Sequence, residues 1–311
     1  MRTVAVLTAG FCFASVANAQ FITDFDSYIA GSDLNGQDNW YLPPVGGVSL
    51  DVVDAATNPW GFPANPAGGG ANWVGGDVVQ AGNLFGRSQR NINWGGTGVW
   101  AVYYDFAWSY NGILPATQNL ASFSLQHSLS AAGMGLNLVS FEDPLTAVGA
   151  QHLYIYYDAN NVQHAQPGKD YGPDWNNLPS HMWHRFMTVI DWDTDRVVCV
   201  SITNLATGLS AAASPPVGDP LLIQAIAGVT HPEGFRLFTG GTTLGNIGAW
   251  DNLAITCYAD CEKDGDKDVF DYLCFLSAFA ASEPYADCEC DGDWDVFDFL
   301  CFQNRFGGCP L

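Results

Sequence analysis

Basic residues are scarce in this chain. Ten Lys and Arg stand against 32 Asp and Glu over 311 residues, for a formal net charge of −22. So few cations argue against nucleic acid and anionic membrane surfaces as partners. Long apolar runs are lacking too. Val4 to Val16, after Arg2 and ahead of Ala17-Asn18-Ala19, predicts a secretory signal over 1–19, cleaved before Gln20. No later stretch is long and apolar enough to span a bilayer. The glucanase-type pattern Glu-x-Asp-x-x-Glu, which sets two carboxylates across a glycosidic bond, is absent. The best carboxylate row, Asp191-Trp-Asp193-Thr-Asp195, falls where a strand must reverse and has the composition of a turn. The six histidines are scattered, and His181-x-x-His184 would serve a metal only on a helix.

Glycine, proline and aromatic residues are abundant instead. Short alternating stretches recur between turn signals: Trp100 to Trp108, Ala121 to Leu125, His152 to Tyr157, Arg185 to Ile190, Arg196 to Ile202 and Gly234 to Phe238. Many short strands with little helical periodicity predict a mainly β domain, a β-sandwich or jelly roll, over 20–256. Trp60, Trp73, Trp94 and Trp175 fall in Gly/Pro/Asn-rich loops rather than in clean strands and are candidates to stack on sugar rings; loop tryptophans that cover the core are the other reading. His152, Tyr154, Tyr156 and Arg185 are the residue types a polysaccharide lyase would need on one concave sheet.

The last quarter says one thing twice. Asp260-Cys-Glu262-Lys-Asp264-Gly265-Asp266-Lys-Asp268-Val269-Phe270-Asp271 returns 27 residues later as Asp287-Cys-Glu289-Cys-Asp291-Gly292-Asp293-Trp-Asp295-Val296-Phe297-Asp298. Both copies run into aromatic-Leu-Cys-Phe, the expected start of a helix. Hard divalent cations choose oxygen ligands, and a twelve-residue loop of this kind supplies them from positions 1, 3, 5, 7, 9 and 12, with glycine turning sharply at position 6. Two Ca2+ ions are therefore expected, one on Asp260, Glu262, Asp264, Asp266, Asp268 and Asp271, the other on Asp287, Glu289, Asp291, Asp293, Asp295 and Asp298. Position 7 would ligate through its backbone carbonyl and position 9 through a water. Six carboxylates in twelve residues repel one another, so folding of the segment should be coupled to metal binding.

Two such loops, each followed by one helix and lacking a helix in front, resemble the dockerin domain over residues 257–311. The resemblance implies two calcium ions and a cohesin-like partner on a scaffold or cell surface. Positions 10 and 11, often small hydroxyl residues in that family, are Val269-Phe270 and Val296-Phe297 here, so the partner-facing code differs. Ahead of the tail, Phe25-Asp26-Ser-Tyr28, the stretch from Trp183 to Asp191 and Gly245 to Leu253 resemble the concanavalin A-like lectin/glucanase and laminin-G-like sandwiches of exported bacterial proteins. That resemblance implies first and last strands lying side by side and, in some members, a structural calcium near them, for which Asp26 and Asp251 are candidates.

Nine cysteines, seven of them from Cys257 onward, fit an exported, disulfide-bonded chain. A clasp between Cys257 and Cys309 is expected, with Cys199 standing alone in a strand and Cys288-x-Cys290 short of zinc-finger spacing. The sequence favours a secreted protein whose calcium-dependent tail docks a lectin-like, polysaccharide-binding sandwich. A polysaccharide hydrolase or lyase and a structural or adhesive surface protein are the alternatives.

Overall fold

The computed structural model describes residues 20–44, 46–68, 70–77, 86–92, 97–110, 119–127, 137–142, 151–157, 160, 162–167, 178–213, 232–240 and 245–308. The expected signal over 1–19, Trp94, Trp175 and Cys309 lie outside the described residues. The strands in chain order are β1 (Phe21–Thr23), β2 (Asp51–Asp54), β3 (Asn72–Asp77), β4 (Gly86–Asn91), β5 (Val99–Tyr110), β6 (Asn119–Gln126), β7 (Asn137–Glu142), β8 (Gln151–Tyr157), β9 (Gln163–Pro167), β10 (His184–Asp191), β11 (Arg196–Asn204), β12 (Ser210–Ala213), β13 (Gly234–Thr239) and β14 (Asn246–Cys257). Two helices follow, α1 (Val269–Ala280) and α2 (Val296–Phe306), with a 3-10 turn at Pro284–Ala286 between them.

The fold is a mainly β, antiparallel sandwich carrying two C-terminal helices. One sheet runs β12-β11-β10-β5-β14-β3-β2, with β1 also paired to β14; the other runs β4-β13-β6-β7-β8-β9. The first and last strands do lie side by side, Phe21 opposite Ile255 and Thr23 opposite Leu253. On β5 the period of two sends Trp100, Val102, Tyr104, Phe106 and Trp108 into the core between the sheets, where Phe123 and Phe235 of the six-stranded sheet meet them. Tyr104 and Phe123 stack with ring centroids 5.0 Å apart. The Asp191 row is a turn: Asp191 Oδ1 accepts the Asp193 amide at 2.9 Å and Oδ2 accepts the Thr194 hydroxyl.

The other face of β5 is covered as well, which explains why the strand reads as a nearly continuous apolar run. Two covers share the outer side of the eight-stranded sheet. At one end, Phe62 and Trp60 lie with Trp73, Ala107, Trp183 and Ala249. Trp73 is therefore not a loop tryptophan. It sits in β3, 2% exposed, with its ring edge-on to Phe62 and Trp183, and is closed to a sugar ring. At the other end, Phe275, Ala278, Ala286 and Phe302 pack on Ala101, Tyr103, Met187, Val189 and Ala254. The segment beyond residue 257 thus forms a third layer on the sheet.

Cys199 is not alone. It is bonded to Cys290 across 91 residues, tying β11 to the second acidic loop. Cys261–Cys274 and Cys288–Cys301 are equivalent staples, each joining loop position 2 to the following helix. Cys257 is disulfide-bonded too. With Cys288 and Cys290 in different disulfides, the zinc alternative is removed. The His/Tyr/Arg group is not brought to one sheet either. His152, Tyr154 and Tyr156 are on β8 of the six-stranded sheet, whereas Arg185 is on β10 of the other.

Candidate metal centre

Each acidic loop is held by the same backbone-to-carboxylate wiring. Asp260 Oδ1 and Oδ2 accept the amides of Asp264 and Gly265 at 3.1 and 3.2 Å. Asp287 accepts those of Asp291 and Gly292 at 3.1 and 3.0 Å. At position 12, Asp271 accepts the amides of Glu262 and Asp268 at 3.3 and 2.8 Å, and Asp298 those of Glu289 and Asp295 at 3.2 and 2.9 Å. All four of these carboxylates are buried. Gly265 and Gly292 turn with φ of 96° and 88°, where a side chain would be strained. Position 4 is left-handed in both loops, φ 62° at Lys263 and 59° at Cys290.

The loop and its helix are one unit. Asp268 and Asp295 are the N-caps, accepting the amides of Phe270 and Phe297 at 2.6 and 2.7 Å. Each forms a capping box with the position-12 aspartate at the third helical residue. The short Asp side chain at position 12 reaches both the loop and the cap.

Burial pushes the Asp260 carboxyl up, with the Asp271 charge adding to it; burial likewise pushes Asp287 up. The Asp264 charge is the main cause of the rise at Asp266. Crowded carboxylates of this kind favour either a proton or a cation. Asp266, Asp268 and Asp271 bring carboxylate oxygens within 4.8 Å of one another, the one such group of three among the described residues. The Asp266 side chain, optional by sequence, is part of it. The donors are all oxygen, which fits a hard divalent ion.

Residues flanking the loops stay in solvent. Val269, Phe270, Leu273 and Leu276 on α1 are 62, 54, 53 and 45% exposed; Val296, Phe297 and Leu300 on α2 are 62, 55 and 45% exposed. Val269, Phe270, Val296 and Phe297 are the positions that the sequence expectation assigns to a partner; Leu273, Leu276 and Leu300 are not among them, and all seven are exposed. The opposite sides of the same helices supply Phe275 and Phe302, stacked with centroids 4.1 Å apart.

The first loop also touches the sandwich. The Gln20 amide donates to Asp260, and the Lys263 ammonium lies 4.2 Å from the Tyr103 ring centroid. Beside it, Asp105 and Asp251 face each other across β5 and β14, both buried. Arg185 grips Asp105 with two bonds of 2.8 and 3.0 Å, and Asn65 donates to both carboxylates. Burial first, and the charges of Asp105 and Asp24 after it, push Asp251 up to about 7. The expected sandwich calcium finds no convergent acidic group here among the described residues. Asp26 is exposed and accepts the Asn72 amide, while Asp251 is committed to Asn65 and to the Asn252 amide.

Of the candidate sugar-stacking residues, Trp60 keeps part of its ring in solvent. With Asp51, Asp54, Thr57 and Pro59 it lines a depression of about 440 Å³. The Asp105–Asp251 seam was missed by sequence reasoning, since its members are 40 to 186 residues apart and no local pattern joins them.

No protein-family model matches the chain, and no curated protein matches it in sequence. Solved structures do resemble it. The conserved carbohydrate esterase of Shiga toxin-encoding bacteriophage phi24B aligns at 14% identity over 70% of this chain and 89% of its own, with a TM-score of 0.41. Peanut lectin aligns at 12% identity, over 76% and 96%, with a TM-score of 0.39. Cellulose induced protein Cip1 aligns at 13%, over 76% and 96%, with a TM-score of 0.40.

Proposed function

We propose that this is an exported calcium-binding protein whose dockerin-like tail docks a glycan-binding sandwich onto a scaffold or cell-surface protein. The observation that carries the reading is the duplicated wiring of the two acidic loops, each flanked by the same exposed apolar pair. Side-chain oxygens of Asp260, Glu262, Asp264, Asp268 and Asp271, with the Asp266 carbonyl, would hold one Ca2+; Asp287, Glu289, Asp291, Asp295 and Asp298, with the Asp293 carbonyl, would hold the other. The ion supplies positive charge that offsets the crowded carboxylates. Disulfides suit an oxidising compartment, and no helix of the described residues is long and apolar enough to cross a membrane.

Docking would bury Val269, Phe270, Leu273 and Leu276, or Val296, Phe297 and Leu300, in an apolar recess of the partner. The test uses the full chain on the isolated surface fraction of the producing cell. Retention in Ca2+, release by chelator and loss in Phe270→Ser/Phe297→Ser, a variant that still takes up calcium, is the expected result. Equal retention of that variant, or retention indifferent to chelator, overturns the docking role.

A further inference from the structure

The outer side of the six-stranded sheet carries a buried polar carpet that neither the tail nor the core uses. On β6, Phe123 and Leu125 point into the core, so Ser122, Ser124 and Gln126 point away from it; on β13, Phe235 and Leu237 do the same for Arg236. Arg236 lies opposite Ser124 on one side and Gln89 of β4 on the other. Ser122, Ser124, Gln126, Gln89 and Arg236 are 4, 5, 1, 5 and 8% exposed.

Arg236 is the anomaly. Acids outnumber bases three to one in this chain, and Arg185 and Arg90 each have an aspartate. The Arg236 guanidinium instead gives both Nε and Nη2 to one neutral oxygen, Gln89 Oε1, at 3.0 and 2.7 Å. Among the described residues it forms no ion pair, and the charge of another guanidinium, Arg87, bears on it from one strand away on the same face, where Arg87 lies 5.1 Å from the Phe238 ring centroid. A buried cation without an anion is costly, and a guanidinium presents the fork that a carboxylate fits. Gln89 passes the network on to the Tyr41 hydroxyl at 2.7 Å, which donates to Asn91. Gln126, two residues along β6 from Ser124, gives its Nε2 to the Ser124 hydroxyl and has a buried Oε1 with no hydrogen-bond partner. Nearby, Glu233 is 3.1 Å from His127.

We infer that this face binds a carboxylate-bearing saccharide, with Arg236 seating the carboxylate and Gln126, Ser124 and Tyr41 addressing ring hydroxyls. Serine, amide and phenol groups both donate and accept, as sugar hydroxyls require. The inference rests on the glycan-binding reading and names its substrate class and its face.

The test is affinity electrophoresis of the full chain in polygalacturonate and alginate, against the neutral polymers galactan and xylan. Retardation by the acidic polymers is expected to fall at least tenfold in Arg236→Gln and several-fold in Arg87→Gln. Trp60→Ala, on the other sheet, is expected to leave it unchanged. Circular dichroism and thermal melts show whether Arg236→Gln is folded; if it is not, Arg87→Gln and competition by free galacturonate against galactose decide. Retardation by neutral polymers alone, or by acidic ones with Arg87→Gln unaffected and galacturonate no better than galactose, overturns the inference and leaves the glycan-binding reading standing. No retardation by any polymer overturns both.

Discussion

The two acidic loops are copies inside and strangers outside. Their internal hydrogen bonds match to within 0.2 Å, from the position-1 carboxylate to the helix cap. What differs is how each reaches the sheet beneath. The tether is position 4 in both cases, left-handed in each. In the first loop it is Lys263, laid on the Tyr103 ring of β5; in the second it is Cys290, bonded to Cys199 of β11. The duplicated part is what a loop needs to close on itself. The divergent part is what each copy needs to fit its own place on a sheet that is not duplicated. One attachment is covalent, the other electrostatic over a buried charge seam.

Cys199→Ser/Cys290→Ser removes a link across 91 residues; a loop of that size predicts a loss on the order of 4 kcal/mol. Guanidinium unfolding of the oxidised pair of proteins measures it, and a loss below about 1 kcal/mol would show that apolar packing alone holds the tail.

The seam under the first loop predicts a pH dependence. With its folded value near 7 against an ordinary 3.8, Asp251 holds a proton in the folded chain that the unfolded chain has lost between pH 4 and 7. Stability therefore falls as pH rises through that window, by at most about 4 kcal/mol from this group. Asp251→Asn should flatten the slope between pH 4.5 and 8 in chelator. An unchanged slope would mean that the seam is solvated or already paired.

Lys263→Met removes a desolvated cation–π contact and should cost about 1–2 kcal/mol, less than half the effect of the cysteine pair. Equal losses at the two position-4 sites would contradict the asymmetry. The caps test the symmetry instead. Asp268→Ala and Asp295→Ala should each cost about 1 kcal/mol in chelator, and the two values should agree. A gap wider than that value would place the copies in different internal states.

The sequence made the local features readable. The twelve-residue pattern with glycine at position 6 foretold the loops, and the alternation from Trp100 to Trp108 foretold β5, because both signals are periodic over short range. The Asp191 turn was legible for the same reason. Trp73 was misread, since its Gly-rich neighbourhood resembles a loop while Phe62 and Trp183, distant in sequence, bury it. Cys199 looked solitary because its partner lies in a segment that composition assigns to another unit. The tail's exposed and buried faces were not separable either. Leu273 and Phe275 are equally apolar, and only the sheet beneath decides which is covered. The core that the tail shares with β5 and β10 was not legible, since no local pattern joins Phe275 and Phe302 to Ala101 and Met187.

The most direct test of the account is a calorimetric Ca2+ titration of the full chain after chelator treatment. It predicts two ions per chain, one remaining in Asp260→Ala and one in Asp287→Ala. No uptake, or two ions still bound when either aspartate is removed, would contradict it.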